Sequence, residues 1–257
     1  MARSALVHRL QAALARRFLV GLRRATHRLP VRLEVPTASR VLVIAPHIDD
    51  ETIGCGGTLL RHQALGSTVR VVFVSDSSAG IADAEVASSV VAALRAEMAQ
   101  VTPAFGLESV VELGFPDGAL VRHEAAIAAR LAAQIGAFAP AQIFVPFPFD
   151  GHADHQACAL AAGAAMGLAN WAGDVLAYEV WAALWPNLAI DIGSVAEEKA
   201  RLIRLYASQM ADRDYAAAIL GLNRYRGLQH RIEFAETFHR CTPAQFRELT
   251  ACLDRLG

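Results

Sequence analysis

The chain has 257 residues, enough to bury one substantial core, and its 54% hydrophobic and 19% charged residues are typical of a globular protein. A formal net charge of −1 gives no overall attraction to nucleic acid. No apolar run reaches the length of about eighteen residues that a membrane-spanning helix needs, so none is expected.

Eight of the first 35 residues are arginines, against the single acid Glu34. Leucines and a phenylalanine recur at four-residue steps and predict a basic amphipathic helix over 4–26. Two interpretations stay open for it: peripheral contact with an anionic membrane surface, or packing on the body or on a neighbouring subunit. Pro30 and Pro36 then predict a linker over 28–39, which divides the chain into an N-terminal segment, 1–39, and a catalytic domain, 40–257.

Arginines interrupt the apolar stretch that a cleaved secretory signal would need. The cysteines are scattered, without the spacing of a disulfide framework or a C-x-x-C pair; they are Cys55, Cys158, Cys241 and Cys252. Reduced thiols and a cytoplasmic location, peripheral to the membrane if the basic helix binds lipid, are therefore expected.

From residue 40 onward, apolar strands alternate with helices. The predicted strands cover 41–45, 69–74, 110–113, 143–145 and 175–180, and the predicted helices cover 57–65, 84–100, 123–138 and 156–169. Apolar strands without polar alternation predict an α/β fold in which helices cover both faces of a mostly parallel sheet. After residue 186 the pattern predicts a helical C-terminal part, with helices near 194–208, 212–222 and 243–254.

Two clusters of metal-binding residue types each follow an apolar strand. Residues 46–51 read Pro-His-Ile-Asp-Asp-Glu, and residues 151–155 read Gly-His-Ala-Asp-His. The carboxyl ends of parallel strands lie at one edge of a sheet, where ligands bind. Taken alone, either cluster is also explained by an Asp that caps the following helix. Together they predict one metal site built from two loops.

Catalytic zinc uses three protein ligands and leaves a position for water. His47, Asp50 and a histidine of the second cluster supply two nitrogens and one oxygen. Asp49 then lies where a general base is needed. Pairing of His152 with Asp154 suits a histidine that stabilises an oxyanion, which leaves His155 as the third ligand.

The glycine-rich segment 54–57 invites comparison with phosphate-binding loops. It matches neither G-x-x-x-x-G-K-[ST] nor G-x-G-x-x-G. We expect its glycines to let the backbone turn tightly from strand to helix. Cys55, within it, is expected to be a small buried filler and not a metal ligand.

The two clusters resemble the motifs of the PIG-L/LmbE-like zinc-dependent N-deacetylases, which read Pro/Ala-His-Pro-Asp-Asp-Glu and His-Pro-Asp-His. The similarity covers roughly residues 40–240, and the first 35 residues lie outside it. Further similar segments are 114–118, 178–179, 199, 206–209 and 235–238. The resemblance implies a Rossmann-like fold that hydrolyses N-acetyl groups of amino sugars or their conjugates.

By motif position, the family's zinc ligands correspond to His47, Asp50 and His155. Asp49 corresponds to the general base. His152 matches the oxyanion-stabilising histidine, and Asp154 matches its orienting partner. Arg95 and Asp117 match substrate-contacting positions, although an exposed helix charge and a turn-forming aspartate are the plain alternatives.

The chain departs from the family motifs at three positions. Ile48 and Ala153 replace the usual prolines. Asp150 stands where some relatives place a tyrosine that polarises the carbonyl, and we expect this acid to bind a sugar hydroxyl instead.

The function predicted from all of this is removal of an N-acetyl group from an acetamido sugar or its glycoconjugate. Zinc is the expected cofactor, with iron(II) as the alternative for such a donor set. One rival is a nucleotide-sugar glycosyltransferase with manganese held by an acid-x-acid pair. The other is a non-catalytic saccharide-binding protein with a structural metal, which would have four protein ligands.

Overall fold

The computed structural model describes residues 32–78, 81, 83–209 and 213–253. Over these residues eight strands form one sheet. They are β1 (Arg32–Glu34), β2 (Arg40–Ala45), β3 (Thr68–Ser75), β4 (Ser109–Phe115), β5 (Gln142–Pro146), β6 (Asp174–Tyr178), β7 (Leu188–Asp191) and β8 (Ala235–Cys241). The helices are α1 (Asp50–Ala64), α2 (Ala84–Val101), α3 (Glu124–Phe138), α4 (Ala153–Leu168), α5 (Ala196–Leu205), α6 (Tyr215–Leu228) and α7 (Pro243–Leu253).

The strands lie in the order β1-β7-β8-β6-β5-β2-β3-β4. All neighbouring pairs are parallel except those of β8, which runs antiparallel to both β6 and β7. The predicted fold class, a Rossmann-like and mostly parallel sheet, is therefore confirmed.

Helices pack on both faces of the sheet, as predicted. One core lies under α3, α4 and α7 and includes Leu131 and Phe246. The core on the opposite face lies under α1, α2 and α5 and includes Leu59, Leu94 and Leu202. Burial on both faces explains why strands such as β2 and β3 are apolar almost throughout.

The C-terminal part contains the three predicted helices, but it also contains two strands that were not predicted, β7 and β8. β7 has only four residues, and β8 buries Glu236, Thr237 and His239. Neither strand therefore shows the apolar run on which the prediction depended. The predicted linker also contains β1, which pairs with β7 at the edge of the sheet.

The predicted basic helix over 4–26 falls outside the described residues. Over the ranges that the structure describes, none of the helices has the length and apolar character needed to cross a membrane.

A crevice forms where the chain reverses its direction across the sheet. From β2 the chain proceeds outward through β3 and β4, and it then returns to place β5 on the other side of β2. Such switch points, at the carboxyl ends of parallel strands, are where α/β folds bind ligands. The loops after β2 and β5 are the two loops that carry the predicted metal-binding residues.

Candidate metal centre

The loop after β2 is short and tightly held. Asp49 has φ +126° and ψ −27°, a backbone conformation that a residue with a side chain rarely adopts. The main-chain N–H of His47 donates to Oδ2 of Asp50 at 2.9 Å, and that of Ile48 donates to Oγ of Ser77 at 3.0 Å. α1 then begins at Asp50, seven residues earlier than predicted from the glycine-rich segment.

The glycines of segment 54–57 lie within α1 and not in a turn, which corrects the prediction. A Cβ on Gly54 would come within 2.3 Å of the Tyr178 ring, and one on Gly57 within 2.8 Å of Ile192. Tyr178 in turn donates its hydroxyl to the carbonyl of Ile44, at 2.9 Å. The glycines therefore let α1 pack closely on the sheet beside the crevice.

Both loops bring their predicted metal donors together. Oδ2 of Asp50 lies 3.2 Å from Nδ1 of His47 and 3.3 Å from Nε2 of His155. The ring centroids of His47 and His155 are 5.5 Å apart, and the donor atoms of all three residues lie within 4.8 Å of one another. Two imidazoles and one carboxylate at this spacing fit a single divalent ion such as zinc or iron(II).

Each metal-facing histidine has a carboxylate behind it. Nε2 of His47 lies 3.1 Å from Oδ1 of Asp117 and 3.4 Å from Oδ2 of Asp154. Nδ1 of His155 lies 3.4 Å from Oδ1 of Asp150. Carboxylates on the far ring nitrogen are the usual way in which proteins orient metal-binding histidines and fix their tautomers.

The surroundings of these histidines already favour a cation. Burial lowers the pKa of His47, but hydrogen bonds to three carboxylates outweigh this effect and raise the pKa to about 12. Burial likewise opposes protonation of His155, yet the charge of Asp50 and the contact with Asp150 raise its pKa to about 9. Both nitrogens of His155 are buried without a hydrogen bond of good geometry, which suits a ring that coordinates a metal.

A second group of donors shares His47. Its Nε2 and the carboxylates of Asp117 and Asp154 also lie within 4.8 Å of one another. This group uses the far nitrogen of the ring. A neutral imidazole that gives one nitrogen to a metal carries its proton on the other, so these acids suit hydrogen-bond acceptors for that proton.

Asp49 lines the cleft beside the three donors. Burial and the neighbouring charges of Asp50 and Glu51 raise the pKa of its carboxyl group well above the ordinary value. Oε2 of Glu51 accepts the main-chain N–H of Asp49 at 3.2 Å, and its Oε1 accepts the hydroxyl of Tyr206 at 2.9 Å. Sequence reasoning missed this supporting role of Glu51 and Tyr206.

His152 also lines the cleft, with its ring centroid 5.1 Å from that of His47. It caps α4, because its Nδ1 accepts the main-chain N–H of Asp154 at 3.2 Å. Burial lowers the pKa of His152, and the nearby histidines lower it further. A neutral ring with Nδ1 as acceptor carries its proton on Nε2, where it can be donated.

The structure differs here from the predicted pairing, in which the Asp154 carboxylate orients His152. The Asp154 carboxylate accepts main-chain N–H groups of Gly118 at 2.7 Å and Leu120 at 3.2 Å, and it faces His47. The main chain of Asp154, and not its carboxylate, orients His152.

Asp150, which was expected to bind a sugar hydroxyl, has a buried side chain. Its carboxylate accepts the main-chain N–H groups of His152 and Trp181, each at 3.0 Å, and faces the ring of His155. The buried Asp150 carboxylate therefore connects His152, His155 and Trp181.

The two predicted substrate-contacting residues differ in position. Asp117 lines the cleft and contacts His47. Arg95 is half exposed on α2, pairs with Glu112 of β4 at 2.7 Å, and is not among the residues that line the cleft. The structure therefore brings Asp117 to the site and leaves Arg95 outside it.

The cleft has a volume of about 350 Å³. Sequence reasoning missed several residues in its wall, namely Ile53, Ser77, Val180, Trp181 and Tyr215. They come from separate loops and helices, and no local motif distinguishes them.

The fold and the donors define an α/β protein with a candidate metal centre at its switch point. A sequence model of the PIG-L family, described as GlcNAc-PI de-N-acetylase, matches residues 42–166. This match confirms the resemblance that the motifs predicted, to a family of metal-dependent N-deacetylases.

One relative in sequence and two solved structures illustrate what the chain is similar to. A diacetylchitobiose deacetylase of Thermococcus kodakarensis is 28% identical over 190 residues, covering 67% of this chain and 71% of that protein. The N,N′-diacetylchitobiose deacetylase of Pyrococcus horikoshii, solved with its inhibitor MPG, superposes with a TM-score of 0.73 at 21% identity, covering 90% and 93% of the two chains. GalB of Pseudomonas putida KT2440, a 4-carboxy-2-hydroxymuconate hydratase, gives 0.68 at 21%, covering 79% and 95%.

Proposed function

We propose that the protein is a zinc-dependent hydrolase that removes the N-acetyl group of an acetamido sugar or its glycoconjugate. The observation that carries this proposal is the convergence of His47, Asp50 and His155 beside a cleft that Asp49 and His152 line. The family match and the curated deacetylase relative favour amide hydrolysis as the reaction.

His47, Asp50 and His155 would hold the metal. A bound zinc ion supplies a Lewis acid, which polarises a carbonyl group and lowers the pKa of water. The residues around the metal transfer the proton of the attacking water and stabilise the carbonyl oxygen.

Asp49 is the proposed general base. Its carboxylate takes a proton from the water that attacks the amide carbon, and the raised pKa matches a group that binds and releases protons. When the carbon–nitrogen bond breaks, Asp49 returns that proton to the departing amine. The second proton of the water passes from the acetic acid to the amine, so the products are acetate and the ammonium form of the amino sugar.

His152 is the proposed donor to the developing oxyanion. Its Nδ1 is occupied by the main-chain N–H of Asp154, so the neutral ring carries a proton on Nε2. A donor that is already oriented costs no reorganisation when negative charge forms on the carbonyl oxygen.

An acetate-release assay over a panel of acetamido sugars, with zinc-loaded protein, tests the function. The Asp49→Asn variant is expected to keep stoichiometric zinc and to lose about 10²–10⁴-fold in kcat, because the proton acceptor is gone. Glu198→Gln, which neutralises an exposed acid on α5, is the matched control and keeps full activity.

Normal turnover by zinc-loaded Asp49→Asn would contradict the base assignment. The hydratase relative shows that this fold also supports the addition of water to another substrate class. A protein that releases no acetate from any acetamido sugar, but hydrates an unsaturated acid, would overturn the proposed reaction.

A further inference from the structure

A second cavity, of about 210 Å³, adjoins the reactive cleft. Ile53, Val180, Trp181 and Tyr215 line both cavities. The remaining lining residues of the second cavity are Arg213, Asp214, Ala218 and Ile219. We call this cavity the side recess. A molecule bound in the cleft has direct access to it.

The floor of the side recess is apolar. Ile53 of α1 and Ile219 of α6 are 5% and 8% exposed and belong to one cluster of buried side chains between α1, α5 and α6. Val180 and Tyr215 pack against this cluster. A recess of this kind favours hydrocarbon, since apolar surface leaves water when it fills.

The charged groups of the recess cancel. Arg213 and Asp214 contribute one charge of each sign, and the Asp214 carboxylate already accepts the main-chain N–H of Ala217 at 2.9 Å. Sugar hydroxyl groups need several hydrogen-bond partners when they lose water. The described residues of the lining offer few such partners and no net charge, so they favour an uncharged apolar group over a second sugar or an anion.

An ordered aromatic rim borders the recess. Trp181 is 47% exposed, yet its main-chain N–H donates to Asp150 at 3.0 Å. Its ring meets the Tyr215 ring edge-on, with centroids 5.9 Å apart, and the Arg213 guanidinium lies 5.6 Å from its centroid. Large aromatic side chains that are held in place while exposed are typical of binding sites.

The segment that follows Trp181 is also fixed. Glu179 precedes this segment in the chain. Its carboxylate accepts hydrogen bonds from Nε of Arg226 at 3.0 Å, from the hydroxyl of Thr237 at 2.9 Å and from the main-chain N–H of Leu184 at 2.9 Å. These buried contacts hold both ends of the loop, so the rim does not have to be ordered by the ligand.

We propose that the side recess binds an uncharged hydrocarbon group of the substrate while the acetamido sugar occupies the reactive cleft. The group is either an N-acyl chain longer than acetyl or an alkyl aglycone on the sugar, which share the same chemistry. This inference rests on the proposed function for the orientation of the substrate, but the recess itself can be tested by binding alone.

Two ligand series distinguish the two sources. The first consists of alkyl glycosides of N-acetylglucosamine, from methyl to heptyl, and the second of N-acylglucosamines, from acetyl to octanoyl. Calorimetry with zinc-loaded Asp49→Asn protein measures the dissociation constants without turnover. In one of the series the constant is expected to fall by up to about fourfold per added methylene until the recess is full, the equivalent of about 0.8 kcal/mol each.

Two tryptophan variants on α6 locate the effect. Ala218 lines the recess and Ala217 does not, although both are exposed on the same helix. Ala218→Trp fills the recess and is expected to abolish the chain-length dependence. Ala217→Trp, the matched control, is expected to keep both the dependence and the activity.

A gain in the glycoside series identifies an aglycone site, and a gain in the acyl series identifies an acyl site. The inference is overturned if neither series gains affinity, if no member binds, or if both tryptophan variants lose the dependence equally. Failure of the proposed function has a different signature, since wild-type protein would then release no acid from any member whether or not the chains bind.

Discussion

The backbone of Asp49 connects stability with the proposed chemistry at a single residue. Its φ of +126° lies outside the regions that residues with a side chain ordinarily occupy. Such a conformation costs on the order of 1–3 kcal/mol and persists where the surrounding structure enforces it. Here the hydrogen bonds of His47 and Ile48, and the start of α1, fix the loop around Asp49.

Two substitutions at position 49 separate strain from the loss of the carboxylate. Both Asp49→Gly and Asp49→Ala remove the carboxylate and are expected to be inactive. The glycine variant is expected to unfold with a free energy about 1 kcal/mol higher than that of the alanine variant, because glycine tolerates this φ. Urea denaturation of both proteins measures the difference.

The control for this comparison is Ala217 on α6, where the backbone is helical. There, Ala217→Gly should lower the free energy of unfolding by about 1 kcal/mol. An Asp49→Gly protein no more stable than Asp49→Ala would show that the loop is not strained.

Asp150 gives the second prediction at the residue scale. Its carboxylate faces Nδ1 of His155 and also accepts the N–H groups of His152 and Trp181. In Asp150→Asn, one of these oxygens becomes an NH₂ group, so acceptors are lost behind the metal-facing histidine. Zinc affinity, measured by chelator competition, is expected to fall about 10–100-fold.

Glu198→Gln, which removes a distant exposed carboxylate, should leave zinc affinity unchanged. Unaltered zinc affinity in Asp150→Asn would refute the positioning role.

The positioning role of Asp150 could not be predicted from the sequence. The motif spacing predicts that Asp150 and Asp154 lie near the site. Which histidine each carboxylate contacts depends on the loops after β4 and β6, and no local motif predicts the positions of these loops.

At the scale of elements, α1 is joined to the C-terminal half by a buried ion pair. Nζ of Lys199, on α5, donates to the carbonyl of Ile53 at 2.8 Å and to Glu236 of β8 at 2.6 Å. The Glu236 carboxylate accepts the main-chain N–H groups of Gly57 and Thr58, at 2.8 and 2.7 Å. Side chains from two distant elements therefore bind the backbone of the helix that carries Asp50.

Removing one partner of this pair leaves an uncompensated buried charge. Lys199→Met is expected to lower the free energy of unfolding by about 3–5 kcal/mol. The double variant Lys199→Met/Glu236→Gln should be more stable than Lys199→Met, because no carboxylate then remains buried without its cation. Chemical denaturation of the wild type, both single variants and the double variant tests this, and a double variant less stable than Lys199→Met would contradict it.

The sequence predicted the elements on either side of this pair unequally. Strands β2, β3, β5 and β6 are apolar and were found close to their actual bounds. β8 was missed because Glu236, Thr237 and His239 are buried by pairing with distant partners and not by apolar character. The start of α1 was missed because a run of glycines usually indicates a turn. Here Gly54 makes room for the ring of Tyr178, which lies 124 positions further along the chain and cannot be recognised from the local sequence.

At the scale of the whole molecule, the parallel sheet and its crevice were predictable because alternating strands and helices follow a small set of topologies. The reaction is less strongly specified. A hydratase and a deacetylase both superpose on this fold at 21% identity, so the residues of the site, and not the sheet, carry the proposed chemistry.

Acid stability of the whole molecule should depend on His62 of α1. The residue is fully buried, its Nδ1 lies 3.0 Å from Oγ of Ser67, and its Nε2 has no hydrogen-bond partner. Burial lowers its pKa from 6.5 to about 4. Between these two values the unfolded chain binds more protons than the folded protein, so the free energy of unfolding falls as pH falls.

Protonation of His62 is expected to lower the free energy of unfolding by about 2 kcal/mol between pH 7 and pH 5. His62→Asn removes the titrating ring, so its free energy of unfolding should fall by that much less over the same interval. Urea titrations of both proteins at the two pH values measure the difference. Identical pH dependence of the two proteins would exclude His62 as a source of acid lability.

β8 is the last of the strands in the described part of the chain, yet it lies inside the sheet between β6 and β7. A nascent polypeptide that has not yet delivered residues 235–241 leaves β6 as a bare edge and β1 and β7 detached from the larger sheet. It also lacks the Glu236 carboxylate, which accepts two main-chain N–H groups in the middle of α1. The growing chain therefore carries every candidate metal donor long before it can hold them in place, and the open edge of β6 is exposed to self-association until β8 is synthesised.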